Sequence, residues 1–410
     1  MGEILFLAHR VPFPPNRGDK IRSHHLLKAI ASLGRVHVGC FGETAEDMAA
    51  EAELTAIAAT HCLVKRPKPL AVAGIEALAS GKPVSLTAFD APLMRDWVER
   101  SLATRPIDTI FVFSGQMGQY VPHDFPGRVV IDLCDVDSAK FGDYARRHRW
   151  PRSALDQREE RLLAREEERL AHLADTTLLV TEAEAALLRS RLCDPANADI
   201  APLRNGIDTA VFDPATVEPH PELARDAAPQ LVFTGQMDYP PNVEAVERAA
   251  YHLLPRVRAR HPEARFHVVG RAPAERVLRL DRQAGVRVWG EVPDVRPFLA
   301  AADCVLAPLA IARGVQNKVL EAMAMARPVV LSAEAATGID ACDGEDFAIG
   351  RSDDELVEQL LALLDDGPRA LALGAAARRY VVAEQGWEAM LAPLVRLLGR
   401  AKAGESRDAA

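Results

Sequence analysis

The chain has 410 residues, 49 % of them hydrophobic and 26 % charged, with a formal net charge of −9. That length is too great for one ordinary core and sets two domains as the expectation, while the composition excludes a disordered or fibrous chain. The acidic balance gives no support for nucleic-acid binding, which wants a strongly basic face.

Six cysteines without a C-x-x-C pair show no zinc site and read as buried free thiols of a reducing cytosol. The amino terminus runs from Met-Gly-Glu straight into the apolar run 4–8, too short for a signal h-region and lacking a basic n-region. No apolar stretch reaches bilayer length. The expected location is the cytoplasm, with peripheral contact to the inner face of the membrane left open.

In chain order, short and nearly continuous apolar runs at 4–8, 36–41, 62–64, 109–113, 129–133, 177–180 and 200–203 predict strands covered by helices on both faces. Helical patterns lie between them, notably at 20–32, 47–59, 154–174 and 182–191. The first loop, His9 to Arg22, joins a strand to a helix and collects Gly18, Asp19, Lys20 and Arg22. Its prolines, Pro12, Pro14 and Pro15, equally suit a stiff surface turn. His24 and His25 fall inside the following amphipathic helix, where a packed or solvated histidine is the plain reading.

The strand at 129–133 opens into Asp135, Asp137, Ser138 and Lys140, placing them at its carboxyl end. Asp137 and Ser138 are equally good helix caps. Asp135-Val136-Asp137 also fits the D-x-D pattern by which two carboxylates hold Mn²⁺ or Mg²⁺. Arg146 to Arg149 with Arg152 surround Trp150 in a basic patch that reads either as a solvated loop or as a membrane-facing one. Thr181 and Glu184 have capping-box spacing.

The boundary falls at 205–214, followed by a proline- and charge-rich piece to 229. A second series then begins, with strands at 231–234, 265–269, 286–289, 304–307 and 329–331 and helices at 243–260, 295–302 and 355–364. The last helical stretches, 369–384 and 387–398, have no strand between them, and the small polar tail is expected to fray. Two successive doubly wound domains put two strand-end crevices in one chain.

The stretch 314–330 carries the most information. It opens a helix where the apolar run 304–309 has just ended, so free N–H groups and the helix dipole create an anion site. Gly314 opens it, Asn317 and Lys318 stand in the first turn, and Glu321 lies on the same face as Lys318. One cation and one carboxylate suit a sugar nucleotide, Lys318 for diphosphate and Glu321 for ribose; they equally suit a surface ion pair. Gly235 and Gln236 form a second strand-to-helix turn, with Asn242 a plain N-cap or a ligand. Arg271 after Gly270, Val292 after Trp289, and Gly338 after Thr337 end further strands.

This segment resembles the nucleotide-sugar site of retaining glycosyltransferases of the two-Rossmann type, GT-B, in glycosyltransferase family 4. The resemblance implies an α/β protein of two Rossmann-like doubly wound domains facing across a cleft. Residues 1–208 would form the acceptor-side domain and 209–378 the donor domain. A helix at 379–400 would cross back to the first, with 401–410 a flexible tail. It implies donor contacts from Gly18, Lys20, Gly235, Gln236, Arg271, Val292, Gly314, Asn317 and Gly338. Acceptor contacts would come from Asp19, Arg22, Ser138 and Lys140, with Lys318, Glu321, Asp135 or Asp137, and Arg313 at the reacting centre.

The stretch 6–41 is similar to a narrower group, the sugar transferases of PEP-CTERM/exosortase exopolysaccharide systems. The implied activity is a metal-independent, retaining hexosyl transfer from a nucleotide sugar to a glycan or lipid-linked acceptor, with no cofactor. In one respect the chain departs from the family: Arg313 stands where many members have the first of two glutamates, and an arginine cannot accept hydrogen bonds from sugar hydroxyls. A D-x-D metal-dependent transferase, a non-catalytic binding protein and a sugar-nucleotide epimerase are the alternatives.

Overall fold

The apolar runs of the first half become one seven-stranded parallel sheet, because side chains that are hydrophobic at successive positions must be covered on both faces. Its strands are β1 (Glu3–Ala8), β2 (Val36–Gly42), β3 (Thr60–Lys65), β4 (Ile107–Phe113), β5 (Arg128–Cys134), β6 (Thr176–Leu179) and β7 (Ile200–Pro202). They lie in the order β3-β2-β1-β4-β5-β6-β7, with Ile4 paired to Val36 on one side and Thr109 on the other. Winding thus starts at the centre and reverses between β1 and β4, which is where a doubly wound sheet opens a crevice at its carboxyl edge. This is the computed structural model of the chain, and it describes residues 2–66, 68–312 and 315–399.

The helices of this unit that bear on function are α1 (Gly18–Leu33), α2 (Leu70–Ser80), α3 (Asp137–Arg147) and α4 (Arg152–Leu173). Helix α2 and its neighbours Val84–Ala88 and Pro92–Thr104 were not among the predicted elements.

The second half repeats the design with β8 (Gln230–Thr234), β9 (Arg265–Val269), β10 (Val286–Gly290), β11 (Cys304–Ala307), β12 (Val329–Ser332) and β13 (Ala348–Gly350). The order is β10-β9-β8-β11-β12-β13, all parallel, with the reversal between β8 and β11. Helix α5 (Pro240–Arg248) follows β8, and α6 (Asn317–Ala324) precedes β12.

The chain divides into two compact units, Gly206–Ala389 and Met1–Asn205, the latter rejoined from Met390 onward. The returning piece forms α7 (Leu394–Leu397), which packs on α1, and Arg128 Nη1 donates to Leu397 O at 3.2 Å. Residues 379–389 stay with the second unit. There Ile207 pairs with Gly386, and a Cβ on Gly206 would meet the Trp387 backbone at 2.5 Å. Among the described residues no helix is long and apolar enough to cross a membrane.

Candidate functional site

At the carboxyl edge of the second sheet two loops cross backbone to backbone. Gly235 follows β8 at φ 156° and Gly270 follows β9 at φ 155°. A Cβ on Gly270 would sit 1.6 Å from Gly235 O, so no side chain fits. Gly235 N donates to Val269 O at 3.1 Å and Gly270 N to Gly290 O at 2.8 Å, stapling the three strand ends together. A Cβ on Gly235 would lie 2.9 Å from Asn242 Nδ2 and 3.3 Å from Lys318 Nζ. The bare glycine therefore leaves the space that the Lys318 ammonium occupies.

Lys318 sits in the first turn of α6. Its Nζ donates to Asn242 Oδ1 and lies 4.5 Å from the centroid of the Phe233 ring, close enough for a cation–π contact. Asn242 is held in turn, Nδ2 donating to Gln236 O at 2.9 Å. Burial pushes the Lys318 ammonium down to about 8, with the charge of Glu321 opposing the shift. Burial likewise pushes the Glu321 carboxyl up, and Lys318 pulls it back. Among the described residues the Glu321 carboxylate receives no hydrogen bond; its backbone carbonyl accepts from Met325 N at 3.0 Å. Both groups thus lose hydration without gaining a strong partner, a state that an incoming anion and hydroxyl donors would relieve.

These groups line a cleft of about 640 Å³ together with Gln236, Arg271, Val292 and Asn317. Arg271 Nη2 donates to Gln236 Oε1 at 2.9 Å, which aims an exposed guanidinium along the rim. Gly338, at φ 79° in the turn after β12, is not among the residues lining it. Arg313 and Gly314 lie outside the described residues. Asn242, weighed as an N-cap, is instead inside α5, whose N-cap is Tyr239, and it positions the lysine.

The first unit treats the expected loop residues differently. Lys20 is buried, donating to Asp47 Oδ1 at 2.5 Å and Phe13 O at 3.0 Å. Arg22 is buried too, with Nε on Asp132 Oδ2 at 2.8 Å and Nη1 on Asn205 Oδ1 at 2.8 Å. Both cations, expected as ligand contacts, are spent inside the fold. Asp19 accepts from Arg10 Nη1 at 2.5 Å and Arg17 Nε at 2.8 Å; burial raises its carboxyl, but His9, 3.4 Å away, and Arg10 outweigh burial and hold it well below the usual range. Gly18 opens α1 with nothing within 4 Å of a built Cβ, so its conformation does not demand glycine.

Asp135 is exposed at the end of β5. Asp137 begins α3, its carboxyl pushed up mainly by burial, with Lys140 3.7 Å away lowering it. Ser138 has no exposed surface: its N donates to Glu167 Oε1 at 2.8 Å and its Oγ to Oε2 at 2.5 Å. It anchors the start of α3. Glu167, which the sequence did not single out, is pushed up to about 7 by burial. His9, at the end of β1, was also missed as an individual residue. Burial lowers it, and its Nδ1 has no hydrogen-bond partner among the described residues.

Residues 228–366 match the family model for glycosyl transferases group 1, and the match lies wholly within the second unit. The matched stretch makes up most of the second unit. The GDP-mannose-dependent monoacylated alpha-(1-6)-phosphatidylinositol monomannoside mannosyltransferase of Corynebacterium glutamicum is 30 % identical over 213 residues, which is 48 % of this chain and 55 % of that protein. The chain thus spans about half the length of the curated relative it matches.

Among solved structures, Anabaena HepE in complex with UDP superposes with a TM-score of 0.60 at 15 % identity, covering 97 % of this chain and 99 % of that one. Sucrose-phosphate synthase from Thermosynechococcus elongatus gives 0.56 at 18 % identity, covering 97 % and 98 %. At these identities the likeness shows the fold, an α/β chain of two parallel-sheet Rossmann-like domains of the GT-B glycosyltransferase type.

Proposed function

We propose that the protein is a retaining, metal-independent glycosyltransferase that moves a hexose from a nucleotide sugar to a glycan or lipid-linked acceptor. The observation that carries this reading is Lys318. It is a half-buried ammonium with a neutral amide as partner, over a glycine-lined cleft in the stretch that matches the group 1 glycosyl transferase model. A cation placed at a helix start, where its charge is not cancelled, stabilises a departing diphosphate as negative charge grows on it. Glu321 is placed to accept from ribose hydroxyls. Arg271 adds a second positive charge at the rim.

The step breaks the bond between the anomeric carbon and the β-phosphate oxygen and forms a bond to the acceptor oxygen on the same face. The acceptor proton passes to a phosphate oxygen, so no separate base is required. Asp137, at the carboxyl end of β5 with its carboxyl raised mainly by burial, is the residue of the first unit best suited to orient the acceptor. Nucleoside diphosphates as donor class are supported by the UDP bound in HepE and by the GDP-mannose in the name of the mannosyltransferase. A place in exopolysaccharide synthesis of the PEP-CTERM type rests on the resemblance of residues 6–41.

The test begins with a thermal-shift screen against UDP-, GDP- and ADP-sugars, where a ligand at about a hundred times its Kd stabilises by about 2.7 kcal/mol. Transfer or donor hydrolysis is then followed for the stabilising donor with and without EDTA. Activity that persists in EDTA and disappears in Glu321→Gln supports the reading. Tight donor binding without turnover would make the protein a binding module.

A further inference from the structure

Helix α2 reverses the usual sides of an amphipathic helix. Its inward positions are alanines, Ala73 and Ala77, both fully buried, and Ala73 O accepts from Thr87 Oγ1 at 2.9 Å. Its large side chains face solvent: Ile75 is 70 % exposed, Leu78 61 % and Val72 44 %. Their three-residue spacing puts them on one outward stripe. The single charge in the helix, Glu76, is neutralised by Lys68 at 2.6 Å. Scattered exposed apolar residues are normal, but a stripe of this kind marks an interaction site.

Helix α2 is tied to α4, which carries exposed apolar groups of its own. Arg158 Nη2 donates to Ala77 O at 2.5 Å and to Lys82 O at 3.1 Å, and Val84 N donates to Glu159 Oε2 at 2.9 Å. These bonds fix the end of α2 against the first turns of α4. One turn before Arg158, Leu155 is 54 % exposed, and just ahead of the helix Trp150 is 82 % exposed. A contact from His148 Nδ1 to Asp156 Oδ2 at 2.7 Å ties the Trp150 loop back to α4. Lys82, Arg149 and Arg152 are exposed around these apolar groups, in a chain whose net charge is −9.

We infer that this face docks on an anionic lipid bilayer. Val72, Ile75, Leu78, Leu155 and Trp150 enter the interfacial zone, while Lys82, Arg149 and Arg152 meet headgroup phosphates. An exposed tryptophan flanked by arginines is suited to that zone, where an apolar ring with a polar N–H has both environments at hand. Charge complementarity favours a membrane over a second copy of the chain, since pairing two such faces would bring two basic rims together. Docking requires no donor, so it stands or falls separately from the transferase reading.

The experiment is sedimentation of the full chain with vesicles of phosphatidylcholine alone or mixed with phosphatidylglycerol, across a salt series. Binding is expected to the anionic vesicles, weakening as salt rises. Each cation near the surface is worth about five-fold in affinity, so Lys82→Gln/Arg149→Gln/Arg152→Gln together should cost about a hundredfold. Ile75→Ser/Leu78→Ser should reduce the binding that survives high salt, and Trp150→Phe should remove a vesicle-induced blue shift. All three variants change exposed residues and should keep the parent's melting temperature and its thermal shift with nucleotide sugars. Failure of the parent to sediment with anionic vesicles, or equal sedimentation of parent and variants, overturns the proposal. So does a parent dimer that Ile75→Ser/Leu78→Ser converts to monomer without any vesicle binding.

Discussion

Replacing Lys318 with methionine keeps an unbranched side chain against Phe233 and removes the ammonium. The fall from 10.5 to about 8 means that burial sets about 3 kcal/mol against the charged form. Relief of that cost is offset by the unpaired Asn242 Oδ1, worth about 1–3 kcal/mol, so the variant should fold with nearly parental stability. Donor binding should not survive as well. A unit charge about 4 Å from the ammonium at an effective dielectric near 20 contributes about 4 kcal/mol, so affinity should fall at least about a hundredfold.

The pH dependence separates this account from simple loss of packing. Between about 8 and 10.5 the unfolded chain holds a proton at Lys318 that the folded chain has lost, so stability of the ligand-free protein rises with pH across that window. Donor affinity runs the other way. Binding needs the ammonium, and above pH ~8 it should drop by about tenfold per pH unit, with proton uptake on binding. Titration calorimetry with the most stabilising nucleotide sugar, for parent and Lys318→Met, measures both. Donor affinity that is flat between pH ~7 and ~10 in the parent, or undiminished in the variant, would refute the assignment.

Gly270→Ala should cost at least about 2 kcal/mol in denaturant unfolding, because its Cβ would meet Gly235 O at 1.6 Å and backbone cannot yield cheaply. Gly18→Ala, with open space and a helical position, should instead be neutral or gain up to about 1 kcal/mol; equal losses at the two sites would contradict the geometry. Arg22→Met should destabilise by about 3–5 kcal/mol by leaving Asp132 charged in the core, and Arg22→Met/Asp132→Leu should recover part of it in the same assay. Glu167 keeps its proton to about pH 7 when folded and loses it near 4.5 when unfolded. Its contribution is therefore complete below about 4.5 and is lost as pH rises to about 7. Glu167→Gln should flatten the stability slope in that interval, as urea unfolding at its two ends would show.

Much of the fold was legible because a parallel sheet buried on both faces writes its strands as unbroken apolar runs, and the strand-to-helix turns at Gly235 and Lys318 are local signals. Three-residue β13 was too short to stand out. Helix α2 escaped because its outward face is apolar, which erases the contrast that periodicity detects. Within the site, the sequence could not show that Asn242 and Lys318 meet, since the pair is 76 residues apart, nor that Gly270 and Gly235 cross. The buried ion pairs of Lys20 and Arg22 escaped for the same reason. Their carboxylates, Asp47 and Asp132, stand 27 and 110 residues away.

Lys20, Arg22 and Lys318 differ in one respect that separates scaffold from site. Lys20 and Arg22 each rest on a carboxylate at 2.5 and 2.8 Å, so their charge is cancelled where it lies. Lys318 rests on a neutral amide, and its charge remains available to a ligand. Converting the amide to a carboxylate should therefore turn site into scaffold. Asn242→Asp places a negative charge on the ammonium and should raise the lysine from about 8 toward its ordinary value. The same change replaces the Nδ2 donor to Gln236 O with an acceptor, at a cost of about 1–3 kcal/mol that offsets the new ion pair. Folding should be nearly unchanged while the thermal shift with nucleotide sugars disappears. A variant that still binds donor as the parent does would mean that the uncancelled charge of Lys318 is not what attracts the diphosphate.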